Sequence, residues 1–182
     1  MSIQLHDHLL NVADLVDQPG ASRQVELRMP VPEGFDFPLV GVDEPLHLAG
    51  VVESVVDGLL VRGTLRAELD LRCARCLRPV SREVAIDVVE LFVDPARVNA
   101  DVLADLEDGY EVADDHIDLD ALLRDSLAPS APYRPLCQED CRGLCAQCGG
   151  DLNVADCGCV DSDPDPRWAG LAQLRDQLPA DE

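Results

Sequence analysis

Residues 135–159 read PLCQEDCRGLCAQCGGDLNVADCGC, six cysteines in 25 positions with no histidine and few apolar side chains. Three chemistries are open to thiols packed so closely: a disulfide framework, a redox or nucleophilic thiol site, and ligation of a soft metal by thiolates. The rest of the chain chooses among them.

At 182 residues and 47% hydrophobic content, the chain suits one globular domain, or one with a small appendage. No apolar run approaches the ~18 residues of a membrane span. The N-terminal MSIQLHDHLLNVADLVDQ has neither a basic region ahead of an apolar stretch nor a small-residue cleavage site. The expectation is a cytoplasmic protein with no membrane association. Disulfides rarely persist in a reducing cytosol, and eight cysteines in 182 residues fall below the density of disulfide-stapled secreted domains.

Two CxxC pairs stand out, Cys73-Ala-Arg-Cys76 and Cys145-Ala-Gln-Cys148. Two intervening residues let one tight turn aim both sulfurs at a single tetrahedral ion, with turn amides donating to the thiolates. Gly149, directly after Cys148, and Gly158, between Cys157 and Cys159, offer the positive φ such turns need. Cys157 and Cys159 can complete a four-sulfur site with Cys145 and Cys148, leaving Cys137 and Cys141 to join Cys73 and Cys76. Zinc suits two such structural sites, with an iron–sulfur cluster as the competing cofactor. Four protein sulfurs leave no open position for water or substrate, so each site reads as structural.

A redox CxxC favours a helix N-terminus in a βαβ setting. Here Cys73 follows the strand-like LDLR, and the chain beyond Cys76 returns to a strand pattern through Pro79. Unliganded buried cysteine is the plainer alternative for Cys73 and Cys76. Other catalytic patterns are thin. His6, His8, His47 and His116 are scattered, with His6 and His8 expected in solvent near a frayed terminus. There is no phosphate-cradling glycine loop, nucleophile elbow or HExxH helix. No catalytic residue and no small-molecule substrate is expected.

Hydrophobic periodicity supplies the scaffold. Residues 1–20 suggest a short amphipathic helix bearing Leu9, Val12 and Val16, ended by Pro19-Gly20. Val25, Leu27 and Met29 alternate with polar residues as in a half-buried strand. Two β-rich runs then meet at Asp57-Gly58, a hairpin signal, and Ser81–Val93 alternates again. Four antiparallel strands over residues 23–93 follow. Ala100–Asp120, dense in Asp and Glu, reads as a loop. Leu119, Leu122, Leu123 and Leu127 have helical spacing, closed off by Pro129, Pro132 and Pro135, and Asp165-Pro166 opens a last helix carrying Trp168, Leu171, Leu174 and Leu178. The fold class expected is α+β: an antiparallel sheet domain over 1–98 containing the first CxxC, an acidic linker over 99–120, and a helix, a zinc-ribbon-like cysteine segment and a C-terminal helix over 121–182.

Charge limits the partners. Fourteen basic against 36 acidic residues give −22, which repels a phosphate backbone, and only two Tyr, one Trp and three Phe are present to stack on bases. A basic protein is the partner this composition favours, and eight thiolates on two Zn²⁺ would add about −4 more. Otherwise the acidity is a solvated surface that aids solubility.

In order, CARCLRPV, VVELFVDP, an acidic gap, DLDALLRDSL, PLCQEDCRGLCAQCGGDLN and DPRWAGLAQL resemble the YceD family, the large ribosomal RNA subunit accumulation proteins, over residues 9–178. The resemblance implies a non-enzymatic bacterial or plastid factor needed for normal levels of large-subunit (23S) ribosomal RNA. It would act in ribosome biogenesis through a basic ribosomal protein or a large-subunit assembly intermediate, and associate with the RNA indirectly. Family members are often encoded beside a small zinc-binding large-subunit ribosomal protein, a fitting basic partner. By the same resemblance Cys73, Cys76, Cys137 and Cys141 match widespread family positions, whereas Cys157 and Cys159 lie where related sequences vary. APSAPYRPLC departs from the family's more usual apolar LALP-type run. A CxxC thiol redox protein, or a metal-stapled binding module unrelated to ribosomes, are the alternative readings.

Overall fold

A computed structural model of the chain describes residues 8–32, 35, 40–98, 109–159 and 167. The chain divides into two compact units, Met1–Cys141 and Arg142–Glu182. The composition boundaries at 98 and 120 thus fall inside the first unit, where residues 110–118 pair into its sheet and 119–130 pack on it.

That unit is mostly β-sheet. Strands β1 (Leu9–Asn11), β2 (Ser22–Met29), β3 (Val40–Ser54), β4 (Gly58–Arg72), β5 (Pro79–Val93), β6 (Tyr110–Ala113) and β7 (His116–Asp118) form one seven-stranded sheet in the order β1-β7-β6-β5-β4-β3-β2. All pairings are antiparallel except β5 with β6. At about 3.3 Å per residue, the three 15-residue strands run for roughly 50 Å. Residues 55–57 turn the chain between β3 and β4, where Val55 N donates to the Gly58 carbonyl at 2.9 Å.

Alternation puts Leu59, Val61, Leu65, Ala67, Leu69 and Leu71 of β4 on the buried face, beside Leu46, Leu48 and Val52 of β3. The helix α1 (Leu119–Ser130) packs against β5 and β1 with Leu119, Leu122, Leu123 and Leu127 all fully buried. Asp118 caps it by accepting from Asp120 N at 2.9 Å. The helix carries Pro129 in its last turn and ends at Ser130, with Ala131 as its extended C-cap, so this proline sits inside the helix it was expected to stop.

The opening segment is a strand and turns in place of the expected helix. Leu9–Asn11 pairs with β7, and Val12 then accepts from the amides of both Leu15 and Val16. Further turns close from Gln18 N to the Leu15 carbonyl and from Ala21 N to the Gln18 carbonyl, and Asp17 at a positive φ of 59° keeps them from continuing as a helix. Leu10, Val12 and Leu15 are buried by this route, whereas Leu9, placed on the apolar stripe, is exposed. His8 also departs from its expected solvent position: it is buried, its Nε2 donates to the Pro30 carbonyl at 2.9 Å, and its Nδ1 lies 3.2 Å from Asp120. His6 lies outside the described residues. Within the segment read as an acidic loop, Tyr110–Ala113 and His116–Asp118 form the β6–β7 hairpin, turned by Asp114 and Asp115 at positive φ. The acidic residues face solvent while Ile117 is fully buried. The helix expected from Pro166 onward lies outside the described residues, apart from Arg167.

The opposite face of β2–β5 is largely exposed. Register lines up Arg28, His47 and Arg66 in one row across it, and Asp43, Glu68 and Glu83 in the next. Between these rows β3 breaks register from Asp43 to His47. Among the described residues no helix is long and apolar enough to cross a membrane.

Candidate metal centres

The first centre grows from the end of the β4–β5 hairpin. Strand β4 stops at Arg72, and CARC forms the connection: Cys73 N donates to the Arg78 carbonyl at 2.9 Å and Leu77 N returns to the Cys73 carbonyl at 2.9 Å. Leu77 takes a positive φ of 61°, so the turn is tight enough to aim both sulfurs inward. Beyond α1, residues 131–134 carry the chain through bends until the Pro135 carbonyl accepts from Ala74 N at 2.7 Å. That contact delivers Cys137 and Cys141 to the turn.

All four Sγ atoms lie within 4.8 Å of one another. Cys73 Sγ is 3.7 Å from Cys141 Sγ, and Cys76 Sγ is 3.5 Å from Cys137 Sγ. Those separations far exceed a disulfide bond of about 2.05 Å. A tetrahedral ion with metal–sulfur bonds near 2.3 Å would set its ligands about 3.8 Å apart, so this donor set fits one ion. Cys73, Cys76 and Cys141 are buried and Cys137 is half-buried.

Arg75, inside the CxxC, was not singled out by motif. Its amide lies 3.5 Å from Cys73 Sγ, and its guanidinium donates to the carbonyls of Cys141 at 2.7 Å and Glu139 at 3.4 Å. One side chain therefore ties both halves of the tetrad together.

The second centre lies wholly in the second unit. Cys145, Cys148, Cys157 and Cys159 again bring four Sγ atoms within 4.8 Å. Cys145 N donates to the Gly150 carbonyl at 2.8 Å and Gly149 N to the Cys145 carbonyl at 2.9 Å. Gly149 has φ +70° and Gly158 +68°, the left-handed turns glycine adopts without strain. The DLN that follows is structural: Asp151 accepts from both nitrogens of Asn153 at 2.8 Å, and Asn153 Oδ1 accepts from Arg142 N at 2.8 Å. Leu144 and Asp151 form an antiparallel bridge beneath the turn. Cys145 is half-buried; Cys148, Cys157 and Cys159 are exposed.

Electrostatics within each tetrad match thiols awaiting a cation. Burial opposes charge on Cys73, yet the amides of Cys76, Cys137 and Arg75 outweigh it and bring the thiol down to about 6. Burial and the neighbouring sulfurs push Cys137 up to about 12. In the second set, the amides of Cys148 and Gln147 hold Cys145 at about 6, while Cys157, Cys148 and Cys145 drive Cys159 up to about 12. Four sulfurs so close cannot all ionise unless a cation joins them.

The histidines lie elsewhere. His116 donates through Nδ1 to the Asp114 carbonyl at 2.6 Å and accepts at Nε2 from Asn11 at 3.2 Å, while His47 sits in the basic row of the open sheet face. Neither tetrad includes a histidine or carboxylate among the described residues.

An uncharacterized protein of Mycobacterium tuberculosis is 35% identical over 167 residues, 91% of this chain and 80% of its own length. An uncharacterized protein of Mycobacterium leprae is 33% identical over 171 residues, 91% of this chain and 76% of its own. A chloroplastic Arabidopsis thaliana protein, named large ribosomal RNA subunit accumulation protein YCED homolog 1, is 31% identical over 62 residues, 34% of this chain and 19% of its own. No solved structure matches. A family model described as large ribosomal RNA subunit accumulation protein YceD matches residues 61–175, a span that takes in both tetrads, and the chain belongs to that YceD family.

Proposed function

We propose that the protein is a non-catalytic ribosome-biogenesis factor, acting in the cytoplasm, that sustains accumulation of large-subunit ribosomal RNA. Membership of the family named for that role carries the reading. Two structural zinc ions, one in each tetrad, complete its fold; zinc accepts four thiolates in a tetrahedron without redox chemistry. The 3.5 and 3.7 Å sulfur spacings favour a single ion over an iron–sulfur cluster, whose several atoms stand between its ligands. The bridge Leu144–Asp151 beneath the second tetrad supports a ribbon-like segment. The first ion fastens the segment after α1 to the β4–β5 turn. Cys73→Ser with Cys76→Ser should therefore lower both zinc content and thermal stability; retention of both would refute that role.

A net charge of −22 makes a basic protein of the large subunit, or of its assembly intermediate, the suitable partner, with RNA contacted only indirectly. The exposed carboxylate row Asp43, Glu68 and Glu83 adds to that complementarity. Association should weaken steeply as salt rises.

The deciding experiment is depletion in cells, reading the ratio of large- to small-subunit ribosomal RNA with subunit sedimentation profiles. A selective fall in the large-subunit RNA, restored by the intact gene, is expected. An unchanged ratio overturns the reading.

A further inference from the structure

The two tetrads are built from the same four-thiol set in opposite surroundings. In the first, Cys73, Cys141 and Cys76 are 0%, 1% and 5% exposed. The connection around them is anchored by the 15-residue strands β4 and β5 and by Arg75. In the second, Cys148, Cys157 and Cys159 face solvent, and no hydrophobic side chain among residues 142–159 is fully buried. Val154 is 74% exposed. Among the described residues the sulfurs are accompanied by turn hydrogen bonds, the Asp151–Asn153–Arg142 side-chain contacts, the Leu144–Asp151 bridge and the exposed ion pair Arg142–Asp156. A segment with so little apolar burial depends on its metal–thiolate bonds for order.

We propose that Cys145, Cys148, Cys157 and Cys159 form a hydroperoxide-reactive modification site whose oxidation releases the ion and unfolds residues 142–159, while the first tetrad and the sheet persist. The proposal rests on the metal reading above. Access governs attack on peroxide, and Cys148, Cys157 and Cys159 are exposed, while a bound zinc ion holds its sulfurs deprotonated. One exposed thiolate attacks the O–O bond, which breaks to give a sulfenic acid and hydroxide. A second thiolate displaces the sulfenic oxygen as hydroxide and forms the S–S bond. For hydrogen peroxide, two thiolates give up two electrons and two protons from solvent complete two waters. The sulfurs already lie within 4.8 Å, so a bond of about 2.05 Å needs only a local shift. Two remaining thiolates hold zinc poorly, and the ion departs. A dithiol reductant with zinc reverses the step.

The test uses the full chain. Native mass spectrometry first counts bound zinc. Hydrogen peroxide is then titrated while a chromophoric chelator follows released zinc and differential alkylation maps the thiols. Half the bound zinc should leave, with Cys145, Cys148, Cys157 and Cys159 oxidised and Cys73, Cys76, Cys137 and Cys141 still reduced, and dithiothreitol with zinc should restore the starting count. Cys157→Ser with Cys159→Ser should abolish the peroxide-released fraction and leave the sheet's thermal transition in place. Loss of both ions together, earlier loss from the first tetrad, or no loss at peroxide levels that oxidise an exposed cysteine peptide overturns this proposal alone. A chain that binds no zinc overturns the metal reading and this proposal with it.

Discussion

Arg75 shows how one side chain can tie a candidate metal centre together without offering it a donor atom. Its guanidinium reaches two carbonyls, Cys141 and Glu139, that belong to a segment more than 60 positions away in sequence. Both contacts come from one guanidinium nitrogen, Nη1, and a lysine ammonium on a stem one bond shorter reaches them less well. Arg75→Ala should weaken zinc binding at the first tetrad about 10- to 100-fold, as loss of a ligand-orienting partner does, and Arg75→Lys should recover only part of it. On the two-zinc reading, chelator competition would read this directly, with the second tetrad as the internal control. Tyr110 offers a second test at the same scale. Its hydroxyl donates to Asp125 at 2.8 Å and its ring stacks on Phe92 at 5.1 Å. Burial and then Asp125 raise its pKa, so the folded state holds the phenolic proton more tightly than the unfolded chain. A raised acid contributes stability that is fully present below the unfolded pKa of about 10 and is lost as pH climbs above it. Tyr110→Phe should cost about 1 kcal/mol at pH 7 and flatten the alkaline limb of the stability profile in urea titrations.

Among the elements, β2 to β5 were legible because a long strand with one packed and one open face writes its period into the sequence. Val25, Leu27 and Met29 alternate inward, and so do Leu65, Ala67, Leu69 and Leu71. Strands of three or four residues, such as β1, β6 and β7, are too short to show a period and exist through their pairing, with β1 joined to β7 across about 100 positions and β6 to β7 in a local hairpin. That is why Leu9–Asn11 resembled a helix and 110–118 a loop. The cysteine half-sites were legible for a different reason: a CxxC turn states its geometry in four residues. Arg75 and Asn153 were hidden because their roles depend on carbonyls and amides that only the fold brings near. Helix α1 was visible from its leucines, and it also gives the clearest stability test. Leu122 is fully buried between α1 and the sheet, so Leu122→Ala should destabilise the first unit by about 2–5 kcal/mol in denaturant unfolding.

Across the whole molecule, the open sheet face combines a structural cost with a functional opportunity. Asp43 stands opposite Glu68, and Glu68 opposite Glu83, three carboxylates in register with no ion pair among the described residues. Among the described residues Glu68 accepts from Ser81 Oγ, at 2.5 Å. Like charges directly opposite one another on adjacent strands are destabilising, so the row opposes the sheet it sits on. Glu68→Gln keeps the shape and the hydroxyl contact while removing the central charge, and should stabilise the free protein by about 0.2–1 kcal/mol at low ionic strength. The gain should shrink as salt screens the row, over a Debye length that falls from about 10 Å at 0.1 M to about 3 Å at 1 M. Thermal unfolding of both proteins across a salt series checks this without a partner. The same substitution should slow association with a basic partner, since steering depends on the summed field that the row contributes. Stabilisation of the free chain together with slower capture would identify this face as one held ready for positive charge. Stabilisation with no change in capture would leave the carboxylate row outside the interface.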